Sequence, residues 1–64
     1  MMDNNIYCLR KERHLSQLEL AKLCNVTRQT INAVENNKYD PTLSLAFELA
    51  KHLGTAVDDL FFKK

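Results

Sequence analysis

The sequence predicts an all-α fold in which five helices form one domain, residues 1–64. Apolar residues recur three to four positions apart along most of the chain, which is the spacing of a buried helix face. No stretch of useful length alternates apolar and polar residues, as a half-buried strand does. Gly54 and Pro41 are the single glycine and the single proline. Together these observations favour short helices joined by tight turns.

Size and composition limit the class of protein. The chain has 64 residues and a formal net charge of +1. A domain of this size buries only about 60% of the surface that its unfolded chain exposes, so we expect marginal stability and a benefit from a partner. No apolar run approaches the roughly 20 residues of a membrane-spanning helix, and no signal-peptide pattern is present. The expected location is therefore the cytoplasm.

The charges are unevenly distributed along the chain. Residues 1–38 carry six basic and four acidic residues, whereas residues 39–62 carry one basic and four acidic residues. A basic half can face a polyanion while an acidic half points away from it. The alternative, for so few charges, is an ordinary solvated surface.

Neither a metal site nor a catalytic site is predicted. The two cysteines, Cys8 and Cys24, are too few for the disulfide framework of a small secreted domain. Together with His14 and His52 they show no metal-ligand spacing. The chain also lacks a nucleophile–base pair and a phosphate-binding loop, which makes an enzyme the least favoured class. We expect no cofactor and no metal.

The first helix is expected to begin at Asn4 or Asn5, which are good N-cap residues, and to end at Arg13. Ile6 lies on its buried face. His14 follows the helix, and we expect it to adopt the positive φ with which helices commonly end.

The second helix begins at Ser16, which forms a capping-box pattern with Glu19 three residues later. Asn25 is expected to end it in the left-handed conformation. Leu18 and Leu23 fall outside the buried stripe and are expected to be exposed. The stripe continues from Gln17 through Leu20, Ala21 and Cys24.

The third helix is expected to span residues 28–36, with Thr27 as its N-cap. It starts so soon after the second helix that the two form a helix-turn-helix unit. Ile31 and Val34 bury its back, and Val26 fills the space between the helices. Its exposed front consists of Arg28, Gln29, Asn32 and Ala33.

The fourth helix is expected between Thr42, its cap, and Gly54, its C-terminal stop. Its predicted apolar face consists of Leu43, Ala46, Phe47, Leu49, Ala50 and Leu53.

A short fifth helix is predicted in AVDDLFF, residues 56–62, with Thr55 as a possible cap. Val57 and Phe61 are expected to close the core together with Leu60. Phe62 would then stay on the surface, with Leu60 or Leu45 beside it. These assignments conflict for Leu60, which the sequence places either in the core or on the surface.

Five pieces of sequence occur in a familiar order, and together they are specific although each alone is weak. They closely resemble the lambda-repressor-like, Cro/C1-type (XRE) helix-turn-helix family over about residues 5–61. The pieces are LSQxxLA at 15–21, VTRQTI at 26–31, Glu35, PTL at 41–43 and LAKHLG at 49–54. The resemblance implies a compact five-helix DNA-binding domain with its helix-turn-helix formed by helices two and three.

The resemblance also implies roles for individual residues. Residues 28–36 would be the recognition helix in the major groove. An ion pair between Arg10 and Glu35 would tie the first helix to the end of the third. A homodimer interface would include Leu60 and Phe62. Base contacts are implied for Arg28, Gln29, Thr30, Asn32 and Ala33, and phosphate contacts for Arg10, Gln17, Thr27, Asn37 and Lys38.

The sequence departs from the family pattern where glycine is preferred. His14, Asn25 and Asn37 occupy three such positions, and we expect all three to adopt left-handed geometry. Ala33 stands where many members have a longer polar residue, which leaves open how many bases one subunit reads directly. Ala56 replaces the serine that commonly caps the last helix.

The exposed side chains suit base edges. The fork of Arg28 matches guanine, and the amides of Gln29 and Asn32 match adenine. Thr30 could touch a thymine methyl group or be half-buried. Residue types alone favour an ordinary solvated face, but the complete motif favours DNA. Lys38 could bind phosphate or be an ordinary surface lysine.

The sequence therefore predicts a sequence-specific transcriptional regulator that binds double-stranded DNA at a palindromic operator as a homodimer. A repressor is favoured, but the sequence does not decide between repression by occlusion and activation through contact with polymerase. The alternative is an antitoxin or anti-regulator on the same scaffold, which would bind a protein partner through Leu18 and Leu23 and bind DNA only secondarily.

Overall fold

The computed structural model describes residues 3–63. Five helices account for most of this part of the chain, as predicted, and two short strands join its ends. The helices are α1 (Ile6–Glu12), α2 (Gln17–Leu23), α3 (Arg28–Glu35), α4 (Leu43–Leu53) and α5 (Val57–Leu60). The strands are β1 (Asp3–Asn4) and β2 (Phe61–Phe62).

All five helices contribute to one buried apolar cluster. Cys24 belongs to this cluster, as its place in the predicted stripe implied, and burial raises the pKa of its thiol. Ala21 is also buried, and its small side chain lets α2 and α3 approach closely. The largest fully buried side chains are those of Ile6, Leu20, Ile31, Leu49, Leu53, Leu60 and Val34.

Local capping chemistry fixes where α2 and α3 begin. The Ser16 hydroxyl accepts the backbone N–H of Glu19 at 3.0 Å, and the Glu19 carboxylate accepts the N–H of Ser16 at 2.9 Å. The predicted capping box is therefore confirmed. Thr27 caps α3 by accepting the N–H of Thr30 at 3.2 Å.

Left-handed residues end the helices, as predicted. The φ angles are 56° at His14, 58° at Asn25, 59° at Asn37 and 68° at Gly54. At Asn25 this conformation turns the chain so sharply that the N–H of Val26 donates to the carbonyl of Ala21 at 3.0 Å. Histidine and asparagine tolerate this region better than most residues, so glycine is not required at these positions.

The buried face of α4 differs from the predicted one. Leu43 and Phe47 were expected in the core, but they are 70% and 58% exposed. Leu45, expected at the surface, is buried instead. The buried stripe of α4 is centred on Leu49 and Leu53, and Leu43 and Phe47 lie four residues apart on a neighbouring face.

The end of the chain also differs from the prediction. The fifth helix stops at Leu60, and Phe61 and Phe62 form β2, which pairs antiparallel with β1. The register places Asn4 opposite Phe61. Two-residue strands are too short to show alternation, and their partners lie at opposite ends of the sequence, so periodicity could not reveal them.

The start of α5 corrects a second detail of this region. Ala56 occupies the N-cap position of α5 and makes no side-chain capping bond, so the expected cap at Thr55 is wrong.

Candidate nucleic-acid interface

The exposed face of α3 carries most of the residues predicted to contact bases. Arg28, Gln29 and Asn32 are exposed, whereas Ile31 and Val34 on the opposite face are buried. A shallow depression of about 210 Å³ lies on the exposed side. It is lined by Arg28, Gln29, Asn32, Ala33 and Lys38.

Thr30 lies outside this depression. Its side chain is half-buried, and its hydroxyl lies 3.0 Å from the hydroxyl of Thr27. The two threonines thus bond to each other at the start of α3. Of the two roles that the sequence left open for Thr30, the structure favours half-burial.

Gln17 connects the two helices of the helix-turn-helix on their outer side. Its Oε1 lies 3.4 Å from Arg28 Nη1 and 3.4 Å from Asn32 Nδ2. These bonds are long and therefore weak, so Arg28 and Asn32 can exchange them for another acceptor. Gln17, which is predicted to contact phosphate, therefore lies beside Arg28 and Asn32, which are predicted to contact bases.

A larger groove of about 600 Å³ begins on the other side of Arg28. Lys11, Ser16, Gln17 and Leu18 are among its lining residues. Arg28 lines both this groove and the smaller depression, so the two depressions meet at this residue.

Arg10 is an architectural residue. Its Nε and Nη2 donate to the two carboxylate oxygens of Glu35 at 3.0 and 2.9 Å, and its Nη1 donates to the carbonyl of Leu15 at 2.9 Å. The predicted ion pair is confirmed, and the hydrogen bond with Glu35 raises the pKa of Arg10. The predicted phosphate contact by Arg10 is corrected, because the residue is only 5% exposed and its guanidinium already has these partners.

Asn37 and Lys38 follow α3 and differ in availability. The Asn37 amide accepts a hydrogen bond from Asn4 and donates one to Asp3, both at 2.9 Å, so it is largely committed within the protein. Lys38 is exposed and lines the depression with Gln29. Lys38 is thus the better placed of the two for a phosphate.

The two residues predicted at a dimer interface are not equivalent. Leu60 is fully buried inside the subunit, so its predicted place at an interface is corrected. Phe62 is 38% exposed and stays a candidate for the dimer interface.

Sequence reasoning missed an apolar groove of about 420 Å³ between α4 and α5, which includes Leu43, Val57 and Phe61.

Residues 3–63 offer neither a metal site nor a membrane-spanning helix. This part of the chain contains no group of three or more histidine, cysteine, aspartate or glutamate residues that could hold a metal ion. Nor does any of its helices have the length and apolar character needed to cross a membrane.

Comparison with known proteins decides the family. The helix-turn-helix family model matches residues 7–60, which is most of the chain. The chain belongs to the Cro/C1-type helix-turn-helix family. The family and the names of the relatives indicate a DNA-binding transcriptional regulator and not an enzyme.

Two relatives and one solved structure illustrate the similarity. An HTH-type transcriptional regulator of Methanocaldococcus jannaschii is 47% identical over 60 residues, which is 94% of this chain and 91% of that protein. The immunity repressor protein of Bacillus phage phi105 is 38% identical over 52 residues, or 81% of this chain but only 36% of the phage protein.

The third similar protein is known from a solved structure. The crystal structure of the restriction-modification controller protein C.AhdI from Aeromonas hydrophila superposes with a TM-score of 0.80 at 30% identity. The match covers 88% of this chain and 85% of C.AhdI. The predicted lambda-repressor-like fold is therefore confirmed.

Proposed function

We propose that this regulator binds a specific DNA sequence by inserting α3 into the major groove. The observation that carries the proposal is the depression on α3, where Arg28, Gln29, Asn32 and Lys38 lie together on one exposed surface. The opposite face of the helix is buried against the core, so this surface is the one that α3 can offer to a duplex.

Each side chain in the depression has a matching partner in the groove. Arg28 presents a fork of donors that fits the two acceptors of guanine, and Gln29 and Asn32 can each make two hydrogen bonds to adenine. Ala33 is half-buried and small, which suits contact with a thymine methyl group. Asn32 and Arg28 would exchange their weak bonds to Gln17 for bonds to bases.

Phosphate contacts would set the register of α3 without carrying sequence information. Lys38 at the end of α3 and Gln17 on α2 border the base-reading surface on different sides. Thr27, at the N-terminus of α3, is exposed, and its hydroxyl could donate to a phosphate while it still accepts the N–H of Thr30. We therefore assign Gln17, Thr27 and Lys38 to the DNA backbone.

The proposed regulator acts as a homodimer. A helix of eight residues is about 12 Å long and spans only a few base pairs, so two copies on a palindromic operator would supply the missing contacts. The groove at Leu43, Val57 and Phe61 is the proposed contact for the second copy. Asp40 and Asp58 also line it, and their charges disfavour DNA as its occupant.

Repression is the proposed regulatory outcome. A dimer that covers an operator excludes polymerase from the same DNA, and the similar phage protein is named an immunity repressor. We place the protein in the cytoplasm with the DNA it regulates.

Selection of bound duplexes from random DNA, at a stated salt concentration, tests the proposal. We expect a two-fold symmetric consensus with half-site centres about 34–36 Å apart. Equal affinity for selected and scrambled duplexes would refute specific reading. Purification with a stoichiometric protein partner that blocks DNA binding would instead favour the antitoxin or anti-regulator function, for which exposed Leu18 and Leu23 are available.

A further inference from the structure

Asn4, near the start of the chain, contacts the far end of the recognition helix. Its Nδ2 donates to the carbonyl oxygen of Val34 at 2.9 Å and to Oδ1 of Asn37 at 2.9 Å. Its Oδ1 accepts the backbone N–H of Ile6 at 3.0 Å. Because a backbone N–H can only donate, this last bond determines which side of the amide faces α3. One side chain thus joins the start of α1 to the end of α3.

The end of α3 depends on an asparagine in an unfavourable conformation. The N–H of Asn37 donates to the carbonyl of Val34 at 3.1 Å, and the N–H of Lys38 donates to that of Ala33 at 2.8 Å. This Schellman arrangement requires the positive φ of 59° at Asn37, which glycine would adopt more easily. The bonds from the Asn37 amide to Asn4 and Asp3 offset that cost.

The pairing of the chain ends holds Asn4 from its other side. Asn4 lies opposite Phe61 in the antiparallel pair, and the N–H of the next residue, Asn5, donates to the carbonyl of Leu60 at 3.0 Å. The backbone of Asn4 is therefore anchored to the end of the chain while its side chain holds α3. This gives the amide little freedom to move.

We propose that Asn4 is a positioning residue for DNA recognition. It acts through α3, holding the C-terminal end of that helix and the turn into Lys38 in the orientation that reads the groove. The inference rests on the proposed function. Hydrogen bonds to base edges need a fixed geometry, whereas contacts with phosphates tolerate small displacements. Loss of the Asn4 amide therefore reduces specific binding more than non-specific binding.

Asn4→Ala and a matched control, Asn5→Ala, test the proposal. The Asn5 amide donates to the carbonyl of Asp59 at 3.2 Å, so the control loses an anchored amide of the same segment that does not contact α3. Affinity for a selected and a scrambled duplex is measured by fluorescence anisotropy at fixed salt, at a temperature where circular dichroism shows both variants folded. Asn4→Ala should lose about five- to tenfold in affinity for the selected duplex, and Asn5→Ala should keep the wild-type ratio of the two affinities.

A second measurement needs no DNA. Amide hydrogen exchange, followed by NMR, reports how firmly the N–H groups of Asn37 and Lys38 are held. Exchange at both positions should be about fivefold faster in Asn4→Ala and unchanged in Asn5→Ala. Asn37→Gly keeps the positive φ but removes the side-chain amide that bonds to Asn4 and Asp3. This variant should also lower the affinity for the selected duplex. Combined with Asn4→Ala it should cost less than the sum of the two changes.

The possible outcomes separate the two proposals. If the wild type discriminates between the duplexes but Asn4→Ala and Asn5→Ala have equal ratios, the role of Asn4 is overturned and specific DNA binding stands. If the wild type does not discriminate, both proposals fail. Should Asn4→Ala not fold, full specific affinity in Asn37→Gly would overturn the role of Asn4.

Discussion

Arginine serves two different purposes in this small protein. Arg10 is buried with Glu35, and both side chains are only 6% exposed. Arg28 is exposed, and its one side-chain hydrogen bond within residues 3–63 is a weak one of 3.4 Å to Gln17. A buried pair loses solvation, which good geometry must offset, and here two parallel hydrogen bonds supply that geometry. Arg10 therefore stabilises the domain, whereas Arg28 remains available to a ligand.

Glu35→Gln should destabilise the domain strongly. It leaves the buried guanidinium of Arg10 without a negative partner, and we expect a loss of about 3 kcal/mol in the free energy of unfolding. Urea denaturation measures this loss. Glu12→Gln, which alters an exposed carboxylate on α1, is the control. Equal losses in the two variants would show that the pair contributes nothing beyond an exposed charge.

Base-reading and phosphate-binding residues should differ in their effect on specificity. Arg28→Ala or Gln29→Ala should cost about 1–3 kcal/mol in binding and relax the preference at one base position. Lys38→Ala should weaken binding to all duplexes alike and reduce the salt dependence. Lys51→Ala removes the same charge from the exposed side of α4 and serves as the control. A loss of specificity in Lys38→Ala would contradict its assignment to phosphate.

At the scale of elements, the helices differ in how their first turns are satisfied. Side-chain oxygens of Ser16, Thr27 and Thr42 cap α2, α3 and α4. The N-cap residues of α1 and α5, Asn5 and Ala56, make no side-chain capping bond. At the start of α1, the N–H of Ile6 donates at 3.0 Å to the side-chain oxygen of Asn4, which lies in β1 and pairs with β2. The N-cap residue itself therefore caps α2, α3 and α4, whereas α1 depends on a residue of the paired chain ends.

The capping box should make stability depend on pH. The backbone N–H of Ser16 lowers the pKa of Glu19 below its ordinary value of 4.5. A carboxyl group whose pKa is lower in the folded state stabilises the fold above its unfolded pKa, and this contribution disappears as the pH falls through the folded pKa. Melting temperatures of the wild type and Glu19→Gln should therefore differ at pH 7 and converge in acid. A constant difference would contradict this.

The two left-handed asparagines should respond differently to glycine. Asn25→Gly removes the strain of a non-glycine residue at positive φ, at an exposed position. We expect a gain of up to about 1 kcal/mol in the free energy of unfolding. Asn37→Gly relieves the same strain but forfeits the bonds to Asn4 and Asp3, so it should gain less or lose stability. Urea denaturation of both variants measures the two free energies of unfolding. Equal gains would contradict the expected difference.

For the whole molecule, the sequence predicted what depends on neighbouring residues. The capping box at Ser16 and the left-handed conformations of His14, Asn25 and Asn37 follow from chemistry within a few residues, and all were confirmed. The pair of Arg10 with Glu35 was implied by the family resemblance and was also confirmed.

What the sequence could not predict depends on packing between distant parts. Apolar residues lie on more than one face of α4, so their spacing leaves its rotation undetermined, and Leu43 and Leu45 were assigned to the wrong faces. The pairing of Asn4 with Phe61 has no local signal. The exposed and buried faces of α3 were predicted correctly. The hydrogen bond between Asn37 and Asn4, in contrast, depends on that long-range pairing and has no signal in the sequence around Asn37.

The exposed side chain of Leu43 should matter for assembly. If the groove between α4 and α5 receives a second copy, Leu43→Ser should shift the protein toward a monomer and weaken operator binding. Leu23→Ser removes a similarly apolar side chain, 48% exposed, from α2 and is the control. Analytical ultracentrifugation measures the monomer fraction. An unchanged fraction in Leu43→Ser would exclude this groove as the interface.

The antiparallel pairing of Asp3 with Phe62 brings residues near opposite ends of the sequence to within about 5.5 Å of each other. A short peptide linker could therefore close residues 3–62 into a ring, or connect two such domains in tandem, without stretching the structure. New termini could then be placed in an exposed turn such as the one at Asp40, while the linker keeps the two native ends paired.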